Sequence, residues 1–167
     1  MIEPLSALVS QITAALGPLI KPVINLFQNQ RGLNRDNDIA VFRKLDAIAN
    51  EPRLDDILNA LIPNSRFRME DHYVLADLID ALHRIENTFL NSKLKLKASE
   101  LAWALEHLLD FVTKTFFKIH SGYLKFYPEP IDRDRYDAER KELNQKIDKA
   151  WGAYKDFRLT VKEHLKV

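Results

Sequence analysis

The chain contains no cysteine at all. That removes disulfides, thiolate zinc sites, iron–sulfur clusters and cysteine nucleophiles together. It contains only 4 glycines, so phosphate-cradling loops, dinucleotide fingerprints and nucleophile elbows have little to be made from, and none is found. An excess of either charge is missing too: 25 Lys+Arg against 24 Asp+Glu leaves +1. Such balance lends no support to general binding of nucleic acid or anionic membrane. A long apolar run is also missing. The uncharged stretch Pro4–Ile20 is 17 residues, interrupted by Ser6, Ser10, Gln11 and Thr13, which is short and polar for a membrane span. The start carries Glu3 and no early Lys or Arg, unlike a secretory n-region. The expected setting is therefore cytoplasmic, with no membrane role favoured.

What is present is helical periodicity. The 167 residues, 46% hydrophobic, suit one domain with its own core. Leu5, Val9, Ile12, Leu16, Leu19, Val23 and Leu26 step by four and three along one stripe. Gly17-Pro18 and Pro22 interrupt that stripe, so a break near Gly17 is expected. Asn29–Asp36 reads as a loop, with Asn34 or Asp36 as N-cap of a helix reaching Ala49. Pro52 opens a short helix whose Leu54, Ile57, Leu58 and Leu61 face inward. Leu75, Leu78, Leu82, Ile85 and Phe89 predict a helix over Met69–Asn91. Asn91–Lys97 alternates, and with no hairpin signal nearby it reads as linker or continued helix. Ser99 then caps a helix that Gly122 ends. Tyr123–Pro130 reads as a loop, and a final helix of roughly 50 Å runs over Asp132–Leu165. The assembly expected is all-α: an antiparallel bundle of four to five helices with a long C-terminal helix, in a single domain.

Four features invite chemistry. His83 with Glu86 lies beside Asp77 and Asp80, and a neighbouring helix offers Glu106, His107 and Asp110. A di-metal bundle needs Glu-x-x-His pairs pointing inward, which this chain lacks, so the strip reads as a solvated face and no metal or cofactor is expected. Arg66 precedes His72 near a helix start, where a guanidinium could hold phosphate while an imidazole moves a proton. Over those seven residues the spacing resembles that of the HEPN superfamily of all-helical ribonucleases. The resemblance implies metal-independent RNA cleavage by Arg66 and His72. The charge-poor stretch Met1–Phe27 reads as a helix buried by its neighbours, and could instead enter a bilayer or a partner. Finally, Tyr123, Phe126 and Tyr127, close to Lys118 and Lys125, make a candidate anchor for a protein partner. Trp103 and Trp151 read as core.

Each catalytic constellation is incomplete. The preferred reading is a non-catalytic helical protein–protein interaction module whose partner is another protein or a second copy. The alternatives are the ribonuclease and a membrane-perturbing bundle.

Overall fold

The computed structural model describes residue 30 and residues 32–62, 67–119, 122–127 and 132–167. The chain separates into two compact units, 1–36 and 37–167. Of the first, Gln30 and 32–36 are described, with Gln30 Nε2 donating to Asn34 Oδ1 at 3.0 Å. The stripe over Met1–Phe27 lies outside the described residues.

Among the described residues five α-helices make the protein all-α. They are α1 (residues 32–48), α2 (Glu51–Ala60), α3 (Met69–His83), α4 (Ser92–Thr115) and α5 (Arg133–Leu165). At 33 residues, α5 is ~50 Å long. Among the described residues no helix is long and apolar enough to cross a membrane.

The core is made by one apolar stripe from each helix. Phe42 and Leu45 of α1, Leu54 and Ile57 of α2, Leu75 and Leu78 of α3, Leu101, Leu105 and Leu108 of α4, and Leu143, Ala150, Tyr154, Phe157 and Val161 of α5 are all buried. Phe157 is the hub, with its ring 6.3 Å from Phe42 and 5.7 Å from Phe89. Arg158 lies over the Phe42 ring at 5.0 Å and pairs with Asp46 and Glu51, which ties α5 to the end of α1 and the start of α2.

Several boundaries differ from the sequence expectation. Asn34 and Asp36 do not cap α1, because the helix already runs through them. Asn50 caps α2 by accepting from Arg53 N, so Pro52 falls in the first turn, where its missing N–H costs nothing. The helix expected to reach Asn91 stops at His83, and Ile85 is left 90% exposed. The cause is a set of polar contacts. Asn87 Nδ2 donates back to Ala81 O at 2.8 Å. The buried carboxylate of Asp38 accepts from Leu90 N at 2.6 Å and Asn91 N at 3.0 Å. Asn91 then caps α4 by accepting from Lys93 N and Leu94 N. Ser99 is therefore interior to α4, its hydroxyl donating to Lys95 O.

The second difference is a small sheet. α4 ends at Thr115, and β2 (Phe116–Lys118) pairs antiparallel with β3 (Tyr123–Phe126) in the register Phe116↔Phe126, Phe117↔Lys125, Lys118↔Leu124. β1 (Phe67–Arg68) takes the other side of β3, giving the order β1-β3-β2. Gly122, at φ +77°, leads into β3 in the left-handed region, which glycine enters without a Cβ penalty. The expected helix end at Gly122 and loop at Tyr123 are thus replaced by a hairpin. Aromatic and β-branched residues favour such pleated surfaces. Phe67, Phe116 and Phe126 meet beneath it, with centroids 5.8 and 5.4 Å apart along the chain of contacts. This aromatic cluster closes one end of the helical core.

Candidate protein-docking crease between the last two helices

Along α4, about 100° separates successive residues. Leu101, Leu105, Leu108 and Val112 therefore share the inner face, and Trp103 falls about 200° from Leu105. Trp103 is 47% exposed, which corrects its assignment to the core. Trp151 is half-buried and stacks on Tyr154 at 5.8 Å.

Beside Trp103 the facing positions are small. Ala104, Ala138 and Ala153 leave an open crease between α4 and α5. Its centre, about 550 Å³, is lined by Trp103, Ala104, His107, Lys141, Gln145 and Lys149 among others. A section of about 470 Å³ continues through Trp103 and Lys149 to Glu100 and Asp156. At the other end, a section of about 360 Å³ shares Glu142 and Lys146 and reaches Tyr127 and Arg135. From Arg135 to Asp156 the crease follows α5 for ~30 Å.

The Trp103 side chain is held in place. Its ring lies 4.0 Å from that of His107. His107 Nδ1 contacts Trp103 O at 2.9 Å; a carbonyl oxygen can only accept, so Nδ1 carries the proton and donates. The Lys149 ammonium sits 4.8 Å from the indole centroid, a cation–π geometry. Lys146 pairs with Glu142 at 3.2 Å. In the central section, then, Lys141, Lys146 and Lys149 stand against the single carboxylate of Glu142. The acids of the next section are already engaged. Lys97 contacts Glu100 at 2.7 Å and Asp156 at 3.6 Å, and the hydrogen bond to Glu100 raises the Lys97 ammonium above the usual lysine range.

At the Tyr127 end, the Tyr127 hydroxyl donates to Glu139 and Arg135 Nε donates to Glu139 at 2.9 Å. Burial pushes the Glu139 carboxyl up, but the hydrogen bonds from Tyr127 and Arg135 outweigh it and hold the group below the usual range. Burial, reinforced by the Glu139 bond, raises the Tyr127 hydroxyl.

Phe126 is 4% exposed and packs on Phe116 and Tyr136; as core, it has no surface with which to anchor a partner. Tyr123 and Tyr127 are partly exposed, and only Tyr127 joins the crease. Arg66 lies outside the described residues. His72 is half-buried, its Nδ1 is enclosed with no hydrogen-bond partner among the described residues, and burial lowers its pKa. Asp71, next to it, accepts from Arg68 N at 3.3 Å and pairs with Arg53 at 2.7 Å. His83 Nε2 meets Glu106 Oε1 at 2.7 Å, both side chains being about half exposed. Among the described residues no three His, Asp or Glu side chains converge as a metal site would require.

The crease was missed from the sequence because its defining feature is absent bulk. The readable signals were a second stripe on α5, with Ala138, Lys141, Gln145 and Lys149 stepping by three and four, and the Trp103–His107 pair at i,i+4. No protein-family model, curated protein or solved structure matches the chain, and the site is read from its own geometry.

Proposed function

We propose that this chain is a non-catalytic helical interaction module that docks a protein partner in the α4–α5 crease, within the cytoplasm. One observation carries the reading: the indole of Trp103, 47% exposed, is held by His107 and Lys149 over an alanine-floored groove. Tryptophan is enriched among residues that dominate protein interfaces, because it offers large area with little rotamer entropy to lose. A surface that fixes such a ring and clears space around it is prepared for contact. Tyr127, fixed by Glu139 and Arg135 at the far end, supplies a second rigid aromatic.

The test is site-specific photo-crosslinking. A benzophenone side chain replaces Gln145, which lines the crease, in the full chain expressed in its cells of origin. Irradiation is expected to give one discrete protein adduct, lost when Trp103→Ala is added. An adduct that persists unchanged in Trp103→Ala, or no protein adduct at all, overturns the reading. So does cleavage of RNA by the purified chain that His72→Ala abolishes.

A further inference from the structure

The docking reading leaves the chemistry of the partner open, and the charges around Trp103 narrow it. In the central section three lysines face one glutamate. That glutamate is paired with Lys146, while Lys141 and Lys149 are exposed and have no ion pair among the described residues. Lys149 rests on the indole, and Lys141 stands two helical turns earlier on the same stripe. The next section adds no free acid, because Glu100 and Asp156 both contact Lys97. Over its three sections the crease is balanced, its lysines and arginine matched by as many acids, so the excess belongs to the central section alone, where Lys141 and Lys149 draw the opposite charge.

Resting on the docking reading, we propose that the occupant is an acidic peptide segment of another protein, with one apolar side chain in the space beside Trp103 and flanking Asp or Glu side chains on Lys141 and Lys149. The alanine floor explains the apolar element. Ala104, Ala138 and Ala153 leave room beside the indole that lysines alone would not require. Peptide is favoured over single-stranded nucleic acid because a base needs an open aromatic platform, and this indole already carries the His107 ring and the Lys149 ammonium; an aliphatic side chain needs only the alanine-floored space beside it.

The experiment uses the two indole N–H signals of the full 15N-labelled chain. Trp103 lines the crease and Trp151 does not, so the second is an internal control. The probes are an 11-residue peptide of one leucine between two runs of glutamate, the same peptide with lysine for glutamate, and an oligothymidylate of matching charge. The glutamate peptide is expected to shift the Trp103 signal saturably and leave Trp151 in place. Lys141→Glu with Lys149→Glu is expected to weaken that binding at least tenfold, while Lys141→Arg with Lys149→Arg retains it within a few-fold. Both positions are exposed, and far-ultraviolet dichroism checks that the fold survives. No Trp103 shift with millimolar glutamate peptide overturns the inference, as does an equal shift with the lysine peptide or tighter binding of the oligothymidylate. Self-association of the chain without ligand, with Trp103 covered, overturns it in favour of a second copy. The outcomes also separate from the crosslinking test. A Trp103-dependent protein adduct without glutamate-peptide binding sinks the acidic partner alone, whereas loss of both sinks the docking reading itself.

Discussion

Leu105 and Trp103 stand two residues apart on one helix, and their surroundings are opposite. Leu105 is fully enclosed, among Leu101, Leu108 and Val112 on the face that packs toward α3 and α5. Trp103, with the larger side chain, is left 47% exposed over a floor of alanines. Apolarity alone does not decide which side chain is buried; the angular position on the helix does. On the inner face each stripe position meets bulk from a neighbour. On the outer face the facing positions are small, so the space between α4 and α5 stays open. Filling it with leucines would bury more surface and close the groove. The sequence spends stability there to keep a concavity with an aromatic wall.

The strongest way to test the contrast is Leu105→Ala. It leaves a void among side chains that cannot collapse into it, and the expected cost is about 3 kcal/mol. Urea unfolding should show a lower midpoint with an unchanged slope. A cost below about 1 kcal/mol would mean that the inner face is no better packed than the outer one.

A smaller effect is expected at Tyr154, on the buried face of α5. Its ring is 3% exposed and its hydroxyl has no hydrogen-bond partner among the described residues. Burial, with help from Asp46 and Glu51 and against Arg158, pushes that hydroxyl up to about 12. Tyr154→Phe removes an unsatisfied polar atom and keeps the packing, so a gain of about 1 kcal/mol at neutral pH is expected. The sign with pH follows from linkage. The unfolded hydroxyl ionises near 10.0 while the folded one stays protonated, so the wild type loses stability as pH rises from 10 toward 12. The margin of Tyr154→Phe over the wild type should widen across that window. Equal alkaline unfolding of the two proteins would contradict the assignment.

Much of the fold was legible because it rests on local pattern. Leu54, Ile57, Leu58 and Leu61 are buried as their spacing implies, and Asp132 and Pro52 stand at the helix starts they mark. What escaped depends on distance along the chain. Nothing near Asn91 announces that Asp38, over fifty residues earlier, accepts its backbone N–H. The strand β1 lies far from β3 in sequence, and Phe116 reads as the next rung of a helical stripe until Phe126 pairs with it. The crease was hidden for a different reason: an alanine reads as a tolerant helix former, and only the opposing helix shows that it is the floor of a groove.

The mildest prediction is the sharpest for the contrast. Trp103→Ala deletes more side chain than Leu105→Ala, yet its expected effect on unfolding is under about 1 kcal/mol, since what is lost is contact with His107, Lys149 and solvent. If the measured cost matched that of Leu105→Ala, Trp103 would be a structural residue of the α4–α5 seam and its exposure would have no functional meaning. If instead stability holds and the crosslinked partner is lost, the two faces of α4 are separable, one serving the fold and the other serving recognition. That separation requires only that Ala104, Ala138 and Ala153 keep the helices from closing over the ring.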